Sequence, residues 1–434
     1  MNEQRNIEQA KAVSSYIREG PDRCSMIFAT GTGKSKIVID ILKHKMPMKV
    51  LLLVNSTVLR DDSWKTEFKK WKFLDYYEEC VEVQTYQLVY KWKAEERDLT
   101  GYFIVADEVD FAADVPELSK FFYEYSEIPV LGLTGFVTST KKEWFNIHLP
   151  IFMELDTDDA QEKGILNNIH FVFVKYDLSK NPKDIEIEYT KHGVPKSFHQ
   201  SEDAAYNYAH SQFVKWIVVK EVNNDNFMNQ QISYDEYLKT LNTADYKIKM
   251  AVKNRSELLL NSIASKEMAK KLITYEQKIN PDKKIIVFSK RTAQSSSICG
   301  FDNVYNGAVT KKKADENYKN FQEGKSKLLG VCDKVNRGVN IDNLHTAILE
   351  SFYGSDTKAV QRFGRMLRLD PGEMATVYIL LPYFMRETTR KDEEGKTQKI
   401  YVCSETQQIN WAYKMLRSTK IKSKAVWDYR TVKD

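Results

Sequence analysis

Short apolar runs alternating with helix-length amphipathic stretches constrain this chain more than any other feature. Residues 24–29 (CSMIFA), 49–55 (KVLLLVN), 102–107 (YFIVAD) and 128–134 (IPVLGLT) read as buried strands. Between the first two, 35–45 (SKIVIDILKHK) sets Ile37, Val38, Ile41 and Leu42 on one helical stripe. Strands buried on both faces and joined by helices make parallel sheets, so the first third is predicted to be an α/β layer. The rhythm returns at 283–290, 327–333, 345–351 and 375–382, which predicts a second one.

A chain of 434 residues exceeds one ordinary core. The pattern predicts an α/β protein of two domains, 1–153 and 256–384, with 154–255 as a linking or inserted, mostly helical element and 385–434 as a C-terminal extension. The range 154–255 is charged and broken by KNPKD, HGVPKS and VNNDN, with helix-like stretches at 203–220 and 256–277. Tyr206, Tyr208, Phe213 and Trp216 fall at near-helical spacing there and are read as packing residues. Net charge is +5, a slight basic excess that permits a polyanionic partner without requiring one. The five cysteines are scattered without a C-x-x-C pair, which argues against a disulfide framework or structural zinc. The polar N-terminus and short apolar runs predict no membrane span and a cytosolic-type protein, with a phage or bacterial source favoured by the chain's compactness.

Residues 28–35, FATGTGKS, stand between a predicted strand and a predicted helix, where a phosphate-cradling loop belongs. Gly31 and Gly33 allow backbone amides to approach oxygens, the helix N-terminus favours an anion, Lys34 reaches terminal phosphates and Ser35 can ligate Mg²⁺. Phe28 stands where the common pattern has glycine. A glycine turn ahead of a helix is the plain alternative; the flanking strand and helix favour nucleotide. The run 105–110, VADEVD, ends a predicted strand in two carboxylates at the carboxyl edge, where α/β sheets bind ligands. Asp107 suits Mg²⁺ and Glu108 suits the proton of an attacking water, a pairing that implies hydrolysis.

These motifs and those that follow, in the same order across most of the chain, resemble superfamily 2 helicases and translocases. Gln9 resembles that family's adenine-reading glutamine, and ATGTGKS matches its A-x-x-G-x-G-K-[ST] loop, which implies that Thr30, Gly31, Thr32, Gly33, Lys34 and Ser35 hold ATP and that Ser35 and Asp107 hold Mg²⁺. Residues 54–71 resemble motif Ia and the helix after it, VQTYQ (83–87) motif Ib, and LTGF (133–136) the coupling motif, of which Thr134 is retained. IIVFSKRTAQS (285–295) resembles motif IV, VYNG (304–307) the strand and turn after it, and GVCDKVNRGVNI (330–341) motif V. The resemblance implies nucleic-acid contacts at Asn55, Ser56, Thr57, Thr85, Lys290, Arg291 and Arg337, and an ATP contact at Gly338. Asp110, Val109, Cys332 and Asn340 depart from common family residues, which blurs the subfamily and the coupling but not ATP binding.

QRFGRMLR (361–368) resembles motif VI. Gln361, Arg365 and Arg368 share a helical face at i, i+4 and i+7, with Val360, Phe363 and Leu367 near the opposite side. The resemblance implies that Arg365 and Arg368 reach the γ-phosphate, with Gln361 positioning water or phosphate, so that hydrolysis depends on closure of two RecA-like domains. The expected protein is a monomeric ATP-dependent helicase or translocase acting on DNA rather than RNA, with backbone contacts that read no sequence. Details such as W-x-x-E-F-x-x-W point to the branch of XPB, restriction motors and phage UvsW. A branch-remodelling motor, an RNA helicase and a catalytically silent nucleotide-binding scaffold are the alternatives.

Overall fold

The computed structural model describes residues 3–55, 63–89, 91–92, 97–191, 194–332, 343–351, 369–370, 372–383, 385–391, 397–403, 412 and 423–431. They form two compact units, the first mainly residues up to Ile169 and the second mainly residues from His170 onward. Each is built around its own sheet, as two tandem RecA-like layers require.

In the first unit α1 (Glu3–Glu19) precedes β1 (Arg23–Phe28), α2 (Lys34–Lys45), β2 (Lys49–Val54), α3 (Trp64–Lys70), α4 (Leu74–Cys80), β3 (Val81–Thr85) and α5 (Tyr86–Val89). There follow β4 (Tyr102–Asp107), α6 (Pro116–Glu124), β5 (Val130–Thr134), α7 (Lys142–His148), β6 (Ile151–Leu155) and α8 (Thr157–Glu162). The strands lie in the order β3-β2-β4-β5-β1-β6, and every neighbouring pair is parallel. Leu51, Leu53, Ile104 and Ala106 on the sheet pack with Phe121, Phe122 and Phe145 from the helices, all at most 3% exposed. Each large side chain so buried contributes about 2 kcal/mol, which is what holds helices onto this sheet.

Because β5 lies between β4 and β1, the carboxyl ends of β1, β5, β4, β2 and β3 stand side by side. The loop after β1, the two carboxylates after β4, Thr134, Asn55 and Thr85 therefore share one edge. The opposite edge is tied by Arg23. Its guanidinium donates to the carbonyls of Tyr125, Ile128 and Phe122, each at 2.8 Å, so one cation collects acceptors at the end of α6.

The second unit begins with β7 (Asn168–Asp177), the hairpin β8 (Ile185–Lys191) and β9 (Val194–Gln200), then α9 (Glu202–Met228), α10 (Tyr234–Leu260) and α11 (Ile263–Ile279). It continues with β10 (Lys284–Phe288), α12 (Thr292–Cys299), β11 (Val304–Tyr305), α13 (Lys311–Gln322), β12 (Leu328–Val331), β13 (Leu344–Leu349) and β14 (Met374–Tyr383). The last strands are β15 (Met385–Lys391), β16 (Thr397–Cys403) and β17 (Lys424–Asp428). The seven-stranded order is β11-β12-β10-β13-β14-β7-β17, and β15 and β16 pair antiparallel as a separate hairpin. Strand β7 comes from within 154–255 and β17 from within 385–434. Their apolar residues sit among charged stretches, which hid them in the sequence pattern.

The helical part of 154–255 is a pair of antiparallel helices of 27 residues each, about 40 Å long. The sequence pattern placed helices at 203–220 and 256–277; the structure has 202–228, 234–260 and 263–279. Ser233 explains the second start: its hydroxyl accepts from Glu236 N–H and Glu236 returns the bond, a capping box. Glu202 explains the third. Buried at the start of α9, its carboxylate accepts from the N–H groups of Ile263 and Ala264 and from Ser262 Oγ, capping α11 from another helix. Among the four aromatics read as packing, Tyr206 is 1% exposed but Tyr208 is 64% exposed, a correction for Tyr208.

Candidate functional site

The loop after β1 takes its shape from two glycines and one glutamine. Gly31 and Gly33 have φ of 94° and 92°, backbone that a side chain would strain. Gly33 also lacks room: a Cβ there would come within 2.2 Å of Gln9 Nε2. Gln9, buried on α1, donates Nε2–H to Thr32 O at 2.8 Å, and Thr32 Oγ1 donates to Ala29 O at 2.7 Å. Gln9 is thus a strut of the loop, and its amide orientation is set because Thr32 O can only accept. Its Oε1 is buried without a partner, an acceptor available to an N–H such as the exocyclic amine of adenine.

Lys34 opens α2 and donates Nζ–H to Phe28 O at 3.2 Å; Ser35 follows in the same turn, half-buried, and Thr30 lies at the loop's start. Gly135, just past β5, lies against this group: a Cβ on it would stand 3.1 Å from Thr30 Oγ1 and 3.5 Å from Lys34 Nζ. Only a residue without a side chain leaves that approach open.

Asp107 ends β4 beside them. Burial pushes its carboxyl up, while the Lys34 charge and a hydrogen bond from Trp64 Nε1 at 3.2 Å pull it down. Tyr86 OH donates to the Asp107 carbonyl at 3.0 Å. Glu108 adopts φ 51° and ψ 47°, a left-handed conformation costly for a residue with a Cβ. That twist lets the chain leave β4 with two consecutive carboxylates at the sheet edge before the turn Val109–Asp114 begins.

Asp110, 3% exposed, is pushed up by burial and by the Glu108 charge. Thr134 Oγ1 donates to its Oδ1 at 2.9 Å, and Lys141 Nζ donates to its carbonyl at 2.8 Å and to Asp114 Oδ2 at 2.7 Å. The ends of β4 and β5 are thereby joined through buried charge, a link that the sequence pattern did not show apart from Thr134.

The residues fit a nucleotide with its divalent ion. A glycine-lined loop at a helix N-terminus takes phosphates, Lys34 supplies a cation, Ser35 and Asp107 are oxygen donors of the type Mg²⁺ prefers, and Gln9 Oε1 offers an acceptor.

Further along the same edge, Asn55 is 6% exposed with both side-chain polar atoms unpartnered, and Thr85 ends β3 at 8% exposed. Gln87 Nε2 donates to Asn55 O at 3.4 Å. In the second unit Lys290 and Arg291 follow β10; Lys290 N–H donates to Ser351 Oγ at 2.8 Å, and Arg291 pairs with Glu257 of α10. Ser56, Thr57, Arg337, Gly338, Gln361, Arg365 and Arg368 lie outside the described residues. Sequence reasoning missed Trp64, Tyr86 and Lys141 as neighbours of the acidic motif. Trp64 left a signal as the first tryptophan of W-x-x-E-F-x-x-W and Tyr86 as the tyrosine of VQTYQ; Lys141 left none.

Residues 265–370 match the family described as helicase conserved C-terminal domain. Among curated proteins, none matches. Dbp5 of S. cerevisiae, solved bound to RNA and ADP BeF3, superposes with a TM-score of 0.51 at 10% identity, covering 98% of this chain and 89% of that one. A point variant of Dbp5 with the same ligands gives 0.53 at 10% identity and the same coverage. The helicase domain of Pyrococcus furiosus Hef gives 0.49 at 15% identity, covering 87% of this chain and 94% of that one. Residues 265–370 thus carry a helicase conserved C-terminal domain, on a chain whose two parallel-sheet units share the fold of Dbp5. Among the described residues no helix is long and apolar enough to cross a membrane.

Proposed function

We propose that this chain is an ATP-driven motor on nucleic acid, a DNA helicase or translocase of replication, recombination or repair. The observation that carries the reading is the convergence on one sheet edge of the Gln9-braced loop, Lys34, Asp107 and Glu108, with Asn55 and Thr85 farther along it. Dbp5, similar in fold, holds RNA and a nucleotide analogue. DNA is preferred because the motif details at 54–71 resemble the branch of XPB, restriction motors and UvsW.

Lys34 and the loop amides bind the ATP phosphates, Ser35 and Asp107 hold Mg²⁺, and Glu108 accepts the proton of the attacking water. The ion supplies charge neutralisation at the phosphates. Arg365 and Arg368, with Gln361, act on the γ-phosphate as arginine fingers, and Gly338 completes the ATP contacts. Asn55, Ser56, Thr57, Thr85, Lys290, Arg291 and Arg337 contact the strand. Two grips on a sugar-phosphate backbone shift relative to each other as the two units open and close, and the strand advances. Arg291 takes part by exchanging Glu257 for a phosphate.

The test is ATPase activity with single-stranded DNA, duplex, forked DNA and RNA. Stimulation by DNA substrates is expected. Equal rates with all of them and with none would remove the motor reading and leave a nucleotide-binding scaffold. Strand displacement run beside branch migration separates unwinding from remodelling.

A further inference from the structure

We propose that Trp64 is a positioning residue of the nucleotide site: its indole N–H fixes the Asp107 carboxylate and ties it to α3, the helix that follows the expected strand contacts Asn55, Ser56 and Thr57. The inference rests on the reading of Asp107 as an Mg²⁺ ligand and adds to it a residue and a route.

The indole donates to Asp107 Oδ2 at 3.2 Å, the long end of the N–H···O range, and Trp64 is 3% exposed. One tethered oxygen is enough to set the rotamer of a short carboxylate. Trp64 is also the first residue of α3, so the donor is fixed to the start of a helix. Its ring lies 6.2 Å from Phe68, whose ring lies 4.9 Å from Tyr77 and 6.1 Å from Phe73. This aromatic wall makes the indole move with α3 and α4 as one body rather than swing alone.

The same strand end is held from the other side. Tyr86 donates to the Asp107 carbonyl and Gln87 to the Asn55 carbonyl, both from the segment that resembles motif Ib. The main chain and the carboxylate of Asp107 are thus each bonded to an element expected to touch the strand. A displacement of α3 by a bound backbone lengthens or shortens the Trp64 bond and turns the carboxylate. A phenylalanine would fill the same space and transmit nothing.

The experiment compares the wild type, Trp64→Phe, Asp107→Asn and, as control, Trp144→Phe, whose indole on α7 donates to Ser119 Oγ. Nucleotide affinity is measured by calorimetry with and without Mg²⁺, under conditions without turnover. Trp64→Phe is expected to lower the Mg²⁺-dependent affinity on the order of tenfold, to leave the Mg²⁺-free affinity unchanged and to reduce nucleic-acid stimulation of kcat more than basal kcat. Trp144→Phe is expected to match the wild type in all three.

A second measurement needs no change at Trp64. Of the seven indole resonances in an ¹⁵N-labelled wild-type sample, one is expected to shift in Asp107→Ala, which removes the acceptor, before any ion is added. If all seven stay in place, or if Trp64→Phe binds Mg²⁺-nucleotide as the wild type does while Asp107→Asn does not, the role of Trp64 is refuted. If Asp107→Asn itself has normal Mg²⁺ dependence, the reading of the nucleotide site fails instead.

Discussion

Two residues carry opposite burdens at the carboxyl edge of the first sheet, Lys34 after β1 and Glu108 after β4. Lys34 is placed by the loop and has one carbonyl partner, so Lys34→Ala should abolish measurable nucleotide binding while the fold, followed by circular dichroism, stays intact. Glu108 sits in left-handed backbone. Glu108→Gln keeps that backbone, and nucleotide binding should persist while kcat falls on the order of a thousandfold. Glu108→Gly should also lose turnover but gain about 1 kcal/mol of stability, because glycine relieves the strained dihedral. A melting curve for Glu108→Gly below that of Glu108→Gln would show that the strain is not there. For Arg365, Ala substitution is expected to depress kcat by about a thousandfold with ATP affinity nearly unchanged; normal hydrolysis would exclude the finger role.

At the scale of elements, what was legible followed period and punctuation. Strands β1, β2, β4, β5, β10, β12, β13 and β14 showed as unmixed apolar runs, and their bounds moved by at most a few residues. The loop after β1 showed because glycine, lysine and serine at that spacing serve one chemistry. The helix pair α9 and α10 showed poorly: on α9 an exposed row of Val214, Val218 and Val222 competes with the buried Ala205, Tyr206 and Ala209, and the buried positions of α10 begin with two alanines, Ala244 and Ala251, which make no strong apolar stripe. Strand β17 was invisible for a different reason, since five residues carry little pattern and it is held by pairing with β7 and by Trp427 packed on the core, with an ion pair at its end. Arg430, 5% exposed, donates Nε–H to Asp428 Oδ1 at 3.0 Å and Nη2–H to Oδ2 at 2.8 Å, which holds that carboxyl down at about 2. A lowered carboxyl stabilises the fold above its unfolded value near 4 and loses that contribution as pH falls toward 2. Solvent reaches the Asp428 carboxylate and screens the pair, so Asp428→Asn should cost about 1 kcal/mol at pH 7 in denaturant titrations, with the gap to wild type closing between pH 4 and 2. A gap independent of pH would mean that packing, not charge, is lost. The contacts of Trp64, Glu202 and Lys141 join residues distant in number, and no local pattern announces them.

For the whole molecule, the first unit divides its work between the two margins of one sheet. Its carboxyl margin carries strained backbone at Glu108 and buried side-chain atoms of Asn55 and Gln9 that have no hydrogen-bond partner among the described residues. At the amino margin one guanidinium, Arg23, gathers three carbonyls. Arg23→Met keeps the stem and deletes three charge-assisted bonds, a loss of about 3 kcal/mol, so the thermal midpoint should drop by several degrees while kcat at 20 °C stays near wild type. A matching fall in kcat at low temperature would mean that the two margins are not independent. The division has a genetic reading. Lesions at the margin of Arg23 should behave as heat-sensitive alleles that recover on cooling, whereas lesions at the margin of Glu108 should be null at every temperature and, by occupying substrate without releasing it, dominant over a functional copy.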